Sequence, residues 1–377
     1  MRLLRHAALL VFATAGTILL AGRIGALQPR GEWLAWVADR WHSEGGERAE
    51  RQEIYLWDRG SIVNISKHPS RNTDPEWSGQ GQLAWVSDRN STYDVYILSE
   101  GVSRNISQSA RGIGGYVWSR DGQLAWVAWN PEEGWPGETV YVWDGSHTQR
   151  VSPRASVDWP IAWTDEGTLR WSGWAEERTL RRYIYTWDGG ETQATPLDLA
   201  SISTISWFPD GEMALLVGDS QNADMLYLGR TDHGQRPAFV YSEYGMVGSV
   251  ARAPDGRLAW VEVQAPGSVR IVVWDGAIAA TIPVSDAPRA IRWSHDGRLA
   301  WADGNGGGRW MICVWDGERV MTVHNGMLLA TPPQWSASGR LAWAGTHGRE
   351  WGVWVWDGAS AYRVSPQGQS ATDPAWG

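Results

Sequence analysis

Short apolar runs of four to six residues, rich in Val, Ile, Tyr and Trp, recur along the chain between clusters of Gly, Asp, Asn and Ser. Runs of that length, bounded by turn residues, predict β-strands. One phrase, Leu-Ala-Trp or a close variant, begins at Leu34, Leu83, Leu124, Leu169, Met213, Leu258, Leu299 and Leu341, at intervals of 41 to 49 residues. Alternate strand residues share a face, so Leu83 and Trp85 point one way while Ala84 points the other and leaves room for a large neighbour.

Each repeat resolves into four strands. The first ends in Trp at Trp77, Trp118, Trp163, Trp207, Trp293, Trp335 and Trp376, and a turn such as Asp121-Gly122 leads into the Leu-Ala-Trp strand. The third reads like Val140 to Gly145, with relatives beginning at Ile54, Val95, Ile184, Met225, Ile271, Ile312 and Val353. The fourth reads like Gln149-Arg150-Val151-Ser152 or Tyr362-Arg363-Val364-Ser365. Asp-Gly between third and fourth strands suits a two-residue hairpin. The fifth repeat is the weakest, with Met213-Ala214-Leu215-Leu216 as its second strand and no Trp-Asp-Gly. A four-stranded unit with a period of about 43 is a propeller blade. The expected fold is all-β: an eight-bladed β-propeller occupying residues 31–377 as a single domain. Asp373-Pro374-Ala375-Trp376 repeats Asp74-Pro75-Glu76-Trp77 with no strand after it, and Gly31 to Val37 is a second strand with no first. The C-terminal strand is therefore expected to complete the first blade and close the ring, which leaves only short, protected edges.

Trp293-Ser294-His295-Asp296-Gly297-Arg298-Leu299-Ala300-Trp301, and Val86-Ser87-Asp88-Arg89 followed by Tyr93-Asp94-Val95-Tyr96, resemble the repeats of TolB-type (PD40, WD40-like) propellers. The resemblance spans residues 31–377 and implies the fold and a setting outside the cytoplasm. Two departures, the lack of a separate N-terminal α/β domain and the preference for Trp-Asp-Gly, leave a role in the Tol envelope complex out of what it implies.

Composition sharpens this reading. Of 29 Trp, seven close first strands, seven sit in second strands and six precede the third-to-fourth turns. Burying an indole removes about 150–250 Å² from water, or about 4–6 kcal/mol gross, and these twenty are read as packing. Trp33, Trp159 and Trp354, in or beside strands, are read the same way. The remaining six, Trp41, Trp129, Trp135, Trp174, Trp310 and Trp351, fall in connections between second and third strands. In a propeller those emerge on the same face as the fourth-to-first connections, opposite the clipped Asp-Gly turns. Binding residues favour such loops on a rigid scaffold. The six Trp, with Arg349 and the nearby carboxylates Glu132, Glu133, Glu176 and Glu177, form the candidate ligand-binding face. Trp is enriched in binding hot spots. The plainer alternative is that these Trp fold back over neighbouring blades and the charges are solvated.

The formal charge of −9 excludes a nucleic-acid partner, which would need a basic face. Cys313 is the only cysteine, so no intrachain disulfide is possible, and its strand context marks a buried thiol. Arg2 and Arg5 precede an apolar run from Ala7 to Gly22, followed by Arg23. Residues 1–30 therefore read as an export signal or a retained membrane anchor with a short linker, both alternatives standing. Membrane contact is expected through residues 7–22 only. Gly31 and Gly377 should lie together on the short-turn face, and residues 23–30 can span at most about 28 Å.

Catalytic signatures are missing. The eight His are scattered without paired spacing, there is no Gly-x-Ser-x-Gly, and Gly304-Asn305-Gly306-Gly307-Gly308 joins two strands with no helix to follow. No metal or cofactor is expected. Asn64, Asn90 and Asn105 match acceptor patterns for glycosylation, a pattern too common to carry weight. The function expected is a non-enzymatic binding or scaffold module outside the cytoplasm, engaging a protein or glycan partner at the cell envelope. The alternative is a propeller glycoside hydrolase or lyase acting on a surface polysaccharide with two loop carboxylates as acid and base. A purely assembly role is a third reading. Oligomeric state and the identity of the partner have no signature in the sequence.

Overall fold

The computed structural model describes residues 33–39, 52–99, 101–108, 112–129, 137–153, 156–174, 181–197, 202–218, 224–230, 238–242, 247–264, 268–286, 288–304, 307–346, 348 and 351–377. Among them every regular element is a β-strand, and every strand pair is antiparallel.

The first sheet holds β1 (Leu34–Asp39), β2 (Gln52–Trp57) and β3 (Ile62–Asn64), with the last strand of the chain, β31 (Ala371–Trp376), on the other side of β1. The second is β4 (Asn72–Trp77), β5 (Leu83–Ser87), β6 (Asp94–Ser99) and β7 (Val102–Asn105). The third is β8 (Ile113–Trp118), β9 (Leu124–Trp129), β10 (Glu138–Trp143) and β11 (Thr148–Arg150). Next come β12 (Asp158–Trp163), β13 (Leu169–Trp174), β14 (Arg182–Trp187) and β15 (Gln193–Leu197). The weakest repeat still forms its sheet, from β16 (Ile202–Trp207), β17 (Met213–Gly218), β18 (Asp224–Gly229) and β19 (Ala238–Ser242). The sixth sheet is β20 (Val247–Arg252), β21 (Leu258–Gln264), β22 (Ser268–Trp274) and β23 (Ile278–Val284).

The next repeats depart from expectation. β24 (Arg289–Trp293), β25 (Leu299–Gly304), β26 (Trp310–Trp315), β27 (Val320–Trp335), β28 (Leu341–Thr346), β29 (Gly352–Trp356) and β30 (Ala361–Arg363) form one seven-stranded sheet. The 16-residue β27 pairs with β26 through Val320 to Met327 and with β28 through Leu328 to Trp335. It serves as fourth strand of one repeat and first strand of the next, because the chain passes Gly326 and runs on with register shifts instead of making a loop.

The interfaces between sheets follow the sequence pattern. Ala84, Val86, Val95 and Ile97 of one sheet meet Tyr116, Leu124 and Trp126 of the next. Ala125, Val127, Val140 and Val142 then meet Trp163, Leu169 and Trp171. The same arrangement joins Ala300 and Ala302 to Leu341 and Trp343 across β27, and Ala342 and Ala344 to Leu34 and Trp36. Most second strands thus present an Ala-bearing face to the Leu-x-Trp face ahead of them, β13 with Arg170 at that position being the exception, and all seven second-strand Trp are buried.

First-strand Trp side chains tie neighbouring inner strands together. The indole N–H of Trp118 donates to the Glu76 carbonyl (3.2 Å), Trp207 to Pro160 (3.1 Å), Trp335 to Arg292 (3.0 Å) and Trp376 to Gln334 (3.2 Å). β31 also packs against β4. Gly31 lies outside the described residues, but Gly377 donates its N–H to the carbonyl of Trp33 at 2.8 Å. Leu34 pairs with both Trp376 and Trp57, so the C-terminus lies on the rim of the turn after Trp57.

Candidate functional site

The two rims differ in construction. On the short-turn rim, Ser Oγ groups close the first-to-second turns by accepting the N–H four residues on: Ser78 from Gln82 (2.9 Å), Ser119 from Gln123 (2.8 Å), Ser294 from Arg298 (2.8 Å) and Ser336 from Arg340 (2.9 Å). Arg257 then lies 4.8 Å over Trp293, and Arg298 4.7 Å over Trp335, while Arg298 donates to the Gly339 carbonyl of the next turn (3.0 Å). Four of the third-to-fourth turns are four-residue loops, not the expected two-residue ones: Trp57 pairs with Ile62, Trp143 with Thr148, Trp315 with Val320 and Trp356 with Ala361. Ser99, by contrast, pairs with Val102 across two residues and Trp274 with Ile278 across three. Asp144 Oδ1 accepts from the N–H groups of His147 (2.7 Å) and Ser146 (2.8 Å), which pull its carboxyl down to about 2. Only the following residue, Gly145, takes positive φ (103°). Asp58, Asp316 and Asp357 repeat this cap. These polar groups of the rim are engaged with one another.

The opposite rim carries the four sequence-predicted residues that are described. Trp129, at the end of β9, is 52% exposed. Trp174, at the end of β13, is half-buried beneath Arg182, whose guanidinium lies 5.5 Å over its ring and pairs with Asp158 (3.0 Å). Trp310, at the start of β26, is half-buried with Arg289 4.6 Å over its ring. Trp351, just before β29, is half-buried, and its carbonyl accepts from Ala371 N–H (3.1 Å). The four fall into two pairs on adjacent repeats, Trp129 with Trp174 and Trp310 with Trp351. Trp41, Trp135, Arg349 and the loop carboxylates Glu132, Glu133, Glu176 and Glu177 lie outside the described residues.

A second feature was not anticipated. A cavity of about 970 Å³ lies among the inner strands, with walls from β31, β4, β8, β24 and β27 and from Trp159 of β12. Trp159, expected to pack in the core, is instead 51% exposed, because its ring is seated against Gly115, where an added Cβ would come within 2.7 Å of it. Inner strands carry register shifts beside this space, and Asp74, Ala290 and Asp373 there take positive φ of 53°, 47° and 50°. Such bulges re-aim side chains. Asp373 is held by Thr331 (2.8 Å) and Thr372 (2.9 Å), and the Tyr116 hydroxyl donates to the Asp74 carbonyl.

Glu76 and Arg292 also line the cavity. Burial pushes the Glu76 carboxyl up to about 7, with no hydrogen bond or countercharge among the described residues to oppose it. Desolvation by the surrounding walls also lowers Arg292, although its side chain is exposed to the cavity, and among the described residues it makes one hydrogen bond, to the carbonyl of Ile291 (3.2 Å). Both occupy the position before the last residue of a first strand, where other repeats have Val117, Ala162, Ser206, Ala251, Gln334 and Ala375. That charge replacement was the available signal. Buried Cys313, pushed up to about 12 by burial, is chemically quiet as expected. Among the described residues no cluster of His, Cys, Asp and Glu is arranged to hold a metal ion, and no helix is long and apolar enough to cross a membrane.

No protein-family model matches the chain, and no curated protein does. Solved structures do. Dipeptidyl peptidase 4 from Porphyromonas gingivalis is similar at 13% identity and a TM-score of 0.59, over 91% of this chain and 60% of that one. The β-propeller domain of the Trilobed protease from Pyrococcus furiosus matches at 14% identity and 0.53, over 79% of this chain and 96% of that one. TolB from Acinetobacter baumannii is also similar, at 17% identity and 0.43, over 81% of each chain. Likeness at these identities concerns the fold, and with the repeated four-stranded sheets it leads to one conclusion: the chain is an all-β protein with the β-propeller fold.

Proposed function

We propose that this propeller is a non-enzymatic binding module acting outside the cytoplasm, and that it engages a protein or glycan through the rim carrying Trp129. The observation that carries the reading is the contrast between the rims. One is occupied by capped turns and Arg–Trp stacks, whereas the other presents Trp129 half out of the fold. Arginines covering Trp174 and Trp310 make those two supporting wall, so Trp129 is the leading contact. The setting outside the cytoplasm follows from the basic-then-apolar pattern of residues 2–23.

The same proposal includes an eight-bladed closed ring. Its support is the double duty of β27, the pairing of β31 with β1, the Trp376–Gln334 bond and the apolar cluster joining the last repeat to the first. The test of function is a glycan-array screen of the full chain beside its Trp129→Ala, Trp174→Ala double variant. Glycan binding lost in a folded double variant supports the reading. Glycan binding unchanged in it removes the rim from the function. The rival reading, a polysaccharide hydrolase or lyase, gains one observation: a carboxyl near 7 suits a general acid, but Glu76 lies in the cavity and not on the loops.

A further inference from the structure

The cavity holds two charged side chains of opposite sign that do not pair. Glu76 on β4 has no partner among the described residues, and Arg292 on β24 has only the carbonyl of Ile291. Glu76 is half-buried, and a carboxylate held partly out of water is normally paired or bound to a ligand. Arg292 is exposed to the open cavity and can meet a ligand there. Asp74 of the same strand as Glu76, Asp373 of β31 and Arg71 also line the cavity. Trp159 is held open to this space on a position only glycine can fill, at Gly115. The volume, about 970 Å³, lies within the range of small-molecule sites.

A neutral polyhydroxylated ligand would leave both charges without countercharges, whereas a ligand with one charge of each sign supplies both. We propose that the central cavity binds a small zwitterion, a free amino acid or an unblocked short peptide. Its carboxylate is held by Arg292, its ammonium by Glu76, and its apolar part lies on Trp159. This site is separate from the Trp129 rim and stands without it.

The titratable and charged groups that line the cavity with Glu76 are Asp74 on its own strand, Arg71 just before that strand, Tyr93, Tyr116 of β8, Asp373 of β31 and Arg292 of β24. An ammonium group needs the carboxylate form of Glu76, so affinity rises as pH climbs toward and past 7.

The test is isothermal titration calorimetry of the full chain with L-alanyl-L-phenylalanine, its N-acetyl and C-amide forms, and maltose. The unblocked dipeptide should bind, several-fold more tightly at pH 7.5 than at pH 6, and either blocking group should weaken it at least tenfold. Glu76→Gln, close in shape to the protonated acid, should weaken binding and abolish the pH difference. Arg292→Ala and Trp159→Ala should also weaken it, and Trp129→Ala should leave it unchanged. Thermal unfolding of each variant establishes that it is folded. The proposal is overturned if folded wild type ignores the dipeptide, if blocked and unblocked forms bind alike, if maltose alone binds, or if Trp129→Ala abolishes dipeptide binding while Glu76→Gln does not.

Discussion

Trp301 shows what one repeated side chain contributes. It is buried against Ala259 and Val261 of the preceding sheet, and its indole N–H finds no hydrogen-bond partner among the described residues. Apolar burial outweighs that orphaned donor, at about 4–6 kcal/mol gross against about 1–3 kcal/mol. Trp301→Ala should therefore cost about 3–5 kcal/mol in denaturant unfolding, and Trp301→Phe clearly less, since the orphaned N–H leaves with the indole. Glu76 gives a pH-dependent counterpart. Its folded carboxyl, at about 7, lies above the usual carboxylate range, so the folded state holds the proton more tightly than the unfolded one. Stability attributable to Glu76 is complete at pH 4 and declines as pH rises through 7. Glu76→Gln should raise the melting temperature at pH 8 and leave it nearly unchanged at pH 4, as thermal scans of both proteins would show.

Turns and strands repeat small devices that the sequence spells out. Ser-x-Asp-Gly is a turn closed by a Ser Oγ, and Trp-Asp-Gly at Trp143, Trp315 and Trp356 opens a four-residue loop capped by its Asp. The Arg before Leu299 links one turn to the next: Arg298 stacks on Trp335 and Trp356 and bonds to Gly339. Arg298→Ala should destabilise the fold by about 1–2 kcal/mol, measured by urea unfolding, without altering ligand capture at the opposite rim. These elements were legible because their determinants are local: turn residues at set offsets and a large-small alternation with period two. β27 was not, since the continuity of a strand past Gly326 depends on what its two neighbours pair with. Trp159 was missed for a related reason. Its exposure arises from a bulged inner strand and a glycine one repeat away, a relation that strand periodicity does not encode.

For the molecule as a whole, the pairing of β31 with β1 joins the two ends of the described chain. Removing residues 371–377 would bare the edge of β1 and part the apolar contact of Ala371 and Trp376 with Ala344 and Val353. Exposed edges invite pairing with another chain. The truncated protein should melt at lower temperature than the full chain and associate in a concentration-dependent way in analytical ultracentrifugation. Candidate binding residues were readable from the sequence as loop Trp, but their standing was not: arginines supplied by other strands cover Trp174 and Trp310 and leave Trp129 exposed. The charged pair of the cavity comes from strands more than two hundred residues apart, which converge only when the inner strands gather.

The most direct measurement is ligand capture on a glycan array by wild type, Trp129→Ala and Arg298→Ala, all checked for folding. If the rim bearing Trp129 is the working face, Trp129→Ala loses capture by at least tenfold and Arg298→Ala keeps it. Capture that survives Trp129→Ala and falls with Arg298→Ala would place the working face on the short-turn rim and contradict the proposal.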